Sequence, residues 1–178
     1  MDNPIAFLIN MKIQKTEKRP VDILIDEYAQ FHQKPVNKYI NYICIPLIAF
    51  SILGFLWCFP FPHMGFLGSY NIYLNWASFL IALVIYYYMK RSPIISYIML
   101  MVLFAFAYGI IQLQAWQKTS GPILPQLCVV VFVTANIAQL IGYRIEGKKP
   151  TMMESFKFVW VEPMWLLSLV LKRFGVKY

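Results

Sequence analysis

Apolar residues along this chain gather into four runs, about Tyr39 to Phe59, Ile72 to Met89, Ile94 to Trp116 and Leu124 to Tyr143, none of which contains a formal charge. Each approaches the roughly 20 residues that a helix needs to cross the hydrocarbon core of a bilayer. The punctuation between them agrees: Pro60 and Pro62 follow the first, Lys90, Arg91 and Pro93 separate the second from the third, and Gly121, Pro122 and Pro125 divide the third from the fourth. The pattern predicts four transmembrane helices.

Ahead of the first run, Val21, Leu24, Ile25, Tyr28, Phe31 and His32 recur at helical spacing, with Asp22, Asp26 and Glu27 off that face. This predicts an amphipathic helix that lies in the interface or docks on the bundle. After the last run, Thr151 and Glu154 have the spacing of a capping box and open a helix toward Trp160. Pro163 is expected to interrupt it, leaving a second apolar piece from Met164 to Leu171 that ends at Lys172, Arg173 and Gly175. Both pieces are too short, and too charged at Lys157 and Glu162, for a fifth crossing, so a C-terminal interfacial or re-entrant helical hairpin is expected. The fold class is then all-α, an integral membrane bundle of four transmembrane helices in one membrane-embedded domain over residues 21–178, behind an N-terminal tail over residues 1–20.

Composition agrees with that placement. The 178 residues are 60% hydrophobic, 17% aromatic and only 13% charged, whereas soluble domains are charged at about a quarter of their positions. The opening MDNPIAFLIN lacks a basic region and a small-residue cleavage site, so the first span is expected to serve as its own insertion signal. The net charge of +8 comes from short groups flanking the apolar runs, not from one stripe with interleaved aromatics, which argues against a nucleic-acid partner. Four crossings place all 16 Lys and Arg residues except Lys118 on one side. By the positive-inside rule both termini are cytoplasmic, and the loop that carries His63 faces the opposite compartment. Cys44, Cys58 and Cys128 lie in or beside apolar runs without metal-type spacing and read as buried thiols, with a Cys58 to Cys128 disulfide the lesser alternative.

An even number of crossings brings His32, Asn37 and Asn41, at the start of the first run, to the same membrane face as Tyr143, Glu146, Gly147 and Pro150, at the end of the last. Asn37 and Asn41 are four apart, hence on one helix face. Asn136, Gln139 and Tyr143 form a second row that Glu146 continues if the helix persists. An unpaired amide in hydrocarbon costs several kcal/mol, so both rows should turn inward. The bland reading is that Asn136 and Gln139 hold helices together, that His32 is a packing residue and that Glu146 to Pro150 is a solvated turn. The chain has no HExxH, nucleophile elbow, phosphate-binding glycine loop or histidine-rich box. Its 2 histidines are expected on opposite sides of the membrane, which rules out a two-histidine, one-carboxylate iron site within one chain.

The stretch YAQFHQKPVNKYINYICIP, with His32, Asn37, Asn41 and Pro46, resembles the N-terminal signature of the fungal-type 2-hydroxy fatty acid dioxygenase family. The stretch NIAQLIGYRIEGKKP, with Gln139, Gly142, Tyr143, Glu146 and Pro150, resembles its C-terminal signature, and the likeness extends from about Asp22 to Tyr178. The resemblance implies Fe(II)-dependent oxidation by O2 of a 2-hydroxy fatty acid, which is shortened by one carbon in lipid α-oxidation. It also implies a catalytic set drawn from His32, Asn37, Asn41, Tyr143 and Glu146, with His32 and Glu146 as candidate metal ligands. Where the family usually has histidine, this chain has Asn41 and Tyr143. Neutral Asn is a weak iron ligand and Tyr favours the ferric state.

Two readings follow. In the first the chain is an enzyme, with an acyl tail between apolar helices and a carboxylate near Lys34, Lys38, Arg144, Lys148 or Lys149. In the second, favoured by the two replaced histidines, it is a non-catalytic homologue that keeps the bundle as a lipid-binding or structural membrane protein. The expected partner is a membrane lipid or fatty acid, with a second copy of the chain left open. No span carries a mid-membrane charge and no inverted repeat is visible, which argues against a transporter.

Overall fold

The computed structural model describes residues 19–62, 65, 68, 73–119, 121–148 and 150–176. The loop with His63, the tail before Arg19 and Lys149 lie outside the described residues. Among the described residues six helices follow one another: α1 (Pro20–Ala29), α2 (Pro35–Cys58), α3 (Trp76–Met89), α4 (Pro93–Gln117), α5 (Leu124–Glu146) and α6 (Met152–Arg173). No strand occurs among the described residues, as the apolar pattern requires.

The helix starts are written locally. Pro20, Pro35 and Pro93 open α1, α2 and α4, where a fixed φ suits the helix and the missing N–H is not needed. Asn75 caps α3 by accepting from the Ser78 N–H at 3.1 Å. Thr151 and Glu154 form the expected capping box at the start of α6, the Glu154 carboxylate accepting the Thr151 N–H at 2.7 Å. Gly147 ends α5 in the left-handed region, with φ at 78°.

Among the described residues three helices, against the four expected, are long and apolar enough to cross a membrane: α2, α4 and α5, at 24, 25 and 23 residues. The remaining expected span, the second along the chain, begins at Ile72, outside the described residues. Its helical part, α3, has 14 residues, about 21 Å at 1.5 Å per residue against a hydrocarbon core of roughly 30 Å. The expected C-terminal hairpin does not form, because α6 runs unbroken through Pro163. An internal proline costs about 3 kcal/mol or more through one lost hydrogen bond and a steric kink. Phe158, Val161, Met164, Trp165 and Ser168 are all buried on either side of it, and at roughly 1.5–3 kcal/mol per large apolar side chain that burial outweighs the local defect.

Packing sets the site. α2 and α5 lie antiparallel along most of their length, close at both ends: Gly54 stands against Cys128, and Gly142 against Asn37. A Cβ built on Gly142 would collide with the Asn37 side-chain oxygen, so glycine is needed for the two polar rows to meet. The amphipathic α1 docks on α6. Tyr28 packs edge-on against Phe158 and Trp165, with ring centroids 5.1 and 5.2 Å apart, and Lys157 pairs with Glu27 at the rim. All three cysteines are free thiols.

Candidate functional site

The site begins where α1 ends. His32 sits in the turn between α1 and α2, 1% exposed, stacked on Tyr28 at 4.3 Å and flanked by Tyr143 and Trp165 at 5.4 Å each. Its Nδ1 lies 3.2 Å from the Tyr28 carbonyl. A carbonyl accepts only, so Nδ1 carries the proton and donates, and Nε2 presents a lone pair. That Nε2 is buried without a hydrogen-bond partner, and so is the Tyr28 hydroxyl. Burial holds the His32 imidazole below the ordinary histidine range and raises the Tyr28 phenol well above its own, with Glu162 and Tyr143 adding to the effect.

From the same turn an amide chain crosses the bundle. Asn37 donates through Nδ2 to the Phe31 carbonyl at 2.9 Å and to Glu146 at 3.1 Å. Asn41 donates through Nδ2 to the Asn37 carbonyl and to Asn37 Oδ1, both at 2.9 Å. Gln139 donates through Nε2 to Asn41 Oδ1 at 3.0 Å and toward Glu162 at 3.5 Å. Because the Phe31 and Asn37 carbonyls can only accept, each amide orientation is forced in turn. Glu146 serves as a clasp, taking the backbone N–H of Gln33 and of Lys34 at 3.0 Å each besides Asn37.

The two polar rows therefore meet: His32 with Tyr143, Asn37 with Glu146, and Asn41 with Gln139. Of the candidate carboxylate-binding cations, Lys34, Lys38, Arg144 and Lys148 do not join them, and Lys149 lies outside the described residues. Lys34 spends its Nζ on the Ile145 carbonyl at 2.6 Å, at the end of α5. Arg144 and Lys148 are exposed and Lys38 is half-buried, and none of these lines the cavity beside the cluster.

That cavity, about 460 Å³, runs between α2 to α6. Its walls are mostly aliphatic and aromatic, among them Ile52, Leu80, Val84 and Phe106. Asn136, Gln139, Tyr143, Ser155 and Glu162 supply its polar groups. Along α5 the wall extends from Tyr143 to Phe132, about 16 Å of helix. Burial pushes the Glu162 carboxyl up to about 7.

Sequence reasoning used Glu162 only as an argument against a fifth crossing and Tyr28 only as an apolar-face residue. The available signal was the single acid inside the apolar stretch FVWVEPMWLL, since an ionisable group in such a setting marks a functional position.

Comparison with known proteins adds the family. Residues 20–174 match the family described as 2-hydroxy-palmitic acid dioxygenase Mpo1-like, and the chain belongs to it. No curated protein and no solved structure matches.

A dioxygenase of this kind would often use iron, and only part of the donor set here suits that metal. His32 Nε2 is one suitable donor. Asn41 has its amide committed to Asn37 and Gln139, and Glu146 has both oxygens engaged. Among the described residues no three of His, Cys, Asp and Glu stand together to hold a metal ion. The residues present do not fit a histidine-rich iron centre.

Proposed function

We propose that this chain is a multi-pass membrane protein that holds a single-chain lipid in the cavity between α2 and α6, with little or no capacity for the iron-dependent oxidation that its family name describes. The observation that carries this reading is the cavity itself: about 460 Å³, apolar along most of its length and polar at a few convergent groups, in the size range and with the lining of small-molecule sites. The donor set beside it offers one imidazole where a family enzyme would bring several. Four crossings with both termini in the cytoplasm remain part of the proposal, supported by the confinement of Lys and Arg to one set of loops. The lipid then enters with its polar end toward the cytoplasmic side.

The test has two arms. Lipid extracted from detergent-purified protein and analysed by mass spectrometry should contain a single-chain species at near-stoichiometric amount. Under reducing conditions, Fe(II) titration should give weak binding, tightened about tenfold or more by Asn41→His with Tyr143→His. Stoichiometric iron in the native chain, together with O2 uptake on 2-hydroxypalmitate, would overturn the non-catalytic part of the proposal. The alternative enzyme reading has one specific observation in its favour, the unpartnered Nε2 of His32, which is the tautomer that a metal-binding histidine adopts.

A further inference from the structure

The polar groups of the cavity have an uneven hydrogen-bond inventory. Their N–H and O–H donors are mostly spent inside the protein. Gln139 gives its Nε2 to Asn41 and Glu162, Asn136 gives Nδ2 to the Phe132 carbonyl at 2.7 Å, and Ser155 gives its hydroxyl to the Thr151 carbonyl at 2.9 Å. The acceptors are left over: Gln139 Oε1 and Asn136 Oδ1 receive no hydrogen bond among the described residues, and the Glu162 carboxylate takes one from Gln139 with the Tyr28 hydroxyl nearby. The amide orientations cannot be reversed to supply donors, because Asn136 is fixed by a backbone carbonyl and Gln139 by the forced chain through Asn41 and Asn37.

Charge points the same way. Among the described residues Glu162 is the acid on the cavity wall, and no Lys or Arg lines it. Three cations on neighbouring elements are engaged elsewhere, Lys34 with Ile145, Lys157 with Glu27 and Arg91 with the Tyr87 carbonyl and ring, and Lys38, Arg144 and Lys148 stand outside the cavity wall. A carboxylate head placed here would meet an acid and a row of amide oxygens with no compensating cation. An ammonium head would supply donors to all of them. The orphaned Tyr28 hydroxyl, 0% exposed, is turned toward Glu162 and Tyr143 and can donate to the carboxylate once an ammonium holds that group ionised.

Resting on the lipid-binding reading above, we propose that the preferred occupant is a long-chain primary amine, its ammonium held by Glu162, Gln139 and Asn136 and its alkyl chain by the apolar wall. Charge-assisted hydrogen bonds are roughly twice as strong as neutral ones, so the head group decides among lipids of equal tail length. Burial of Glu162 leaves its carboxyl titrating near 7, and pairing with the ammonium would lower that value.

The experiment compares hexadecylamine, hexadecanol and hexadecanoate on the full chain in one detergent at pH 7.5, a value chosen at roughly half a unit above the Glu162 titration. Binding is read by fluorescence of Trp160 and Trp165 and by thermal shift. The amine is expected to bind at least about tenfold more tightly than the carboxylate, and Glu162→Gln to erase that preference while hexadecanol is still bound. Gln at 162 still accepts from Gln139, and retained hexadecanol binding shows that the variant is folded. Equal or tighter hexadecanoate binding, or an amine preference that survives Glu162→Gln, overturns the head-group assignment while the lipid cavity stands. If none of the three lipids binds, the lipid-binding reading itself fails, and with it this proposal.

Discussion

Glu162→Gln is also a stability experiment whose sign and size follow from burial. The folded carboxyl titrates at about 7 instead of 4.5, so between those values the folded state holds a proton that the unfolded state has released. A group whose folded value is raised contributes its stability below the unfolded value and loses it as pH rises through the folded one. The penalty of keeping Glu162 ionised in the bundle is therefore absent near pH 4.5 and complete above about 7. Two and a half units at 1.36 kcal/mol each give roughly 3 kcal/mol, and partial exposure of the residue at the cavity wall lowers this to about 2–3 kcal/mol.

Gln cannot ionise, and it keeps the hydrogen bond from Gln139, so the variant should match the native chain at low pH and exceed it at high pH. At 2–4 °C per kcal/mol for a chain of this size, the midpoint of thermal unfolding should rise by about 5–10 °C at pH 8 and stay level near pH 4.5. His32, lowered by burial, has the opposite slope: its neutral form favours folding, and that benefit is lost as pH falls below about 6.5. It acts equally in both proteins and cancels in the difference. Unfolding midpoints in detergent at a fixed scan rate across this range are the assay. A gap between the two proteins that is the same at pH 5 and pH 8 would refute the argument that Glu162 is held in a desolvated site.

Three further outcomes are expected. Glu146→Ala removes the acceptor for the Gln33 and Lys34 N–H groups and for Asn37, and should cost about 2–4 kcal/mol in denaturant unfolding, with Glu146→Gln recovering part of it; no loss in either would mean that the clasp does not hold the α1 to α2 turn. Gly142→Ala should destabilise by about 1–3 kcal/mol by forcing α2 and α5 apart at Asn37, measured the same way against an Ala substitution at Gly65, where nothing stands within 4 Å. Pro163→Ala should raise the unfolding midpoint, since α6 is already continuous there and would gain a backbone bond; a fall would show that the kink is needed for packing.

What the sequence could and could not disclose divides along physical lines. Apolar runs, leading prolines and the Thr151 and Glu154 box are local signals, and the helices follow them. The meeting of the Asn37 and Asn41 row with the Gln139 and Tyr143 row was legible as well, because amides at helical spacing in an apolar setting must find partners and another amide row is the nearest supply. Pro163 misled because local propensity was weighed without the burial of Val161, Met164 and Trp165, which only the packed bundle provides. Glu162 was visible as an anomaly, but its role depends on lying across from Gln139, 23 residues earlier in the chain, and no periodicity encodes that contact. The unpartnered atoms of Tyr28 and His32 are likewise products of docking α1 on α6.

Asn41 and Tyr143, where the family resemblance leads one to expect histidine, are built into this chain's own chemistry. Asn41 donates twice to Asn37 and accepts once from Gln139, three bonds that one imidazole cannot reproduce, since a neutral ring offers one donor and one acceptor. Those bonds in turn fix Gln139, and Gln139 sets which of its atoms faces the cavity. Tyr143 places an aromatic ring against His32 at 5.4 Å and lines the same cavity. Replacing both by histidine offers a metal more nitrogen but breaks the chain of amides that orients the acceptors lining the cavity. Gain of iron affinity and loss of head-group discrimination should therefore travel together, because the same atoms cannot serve both uses.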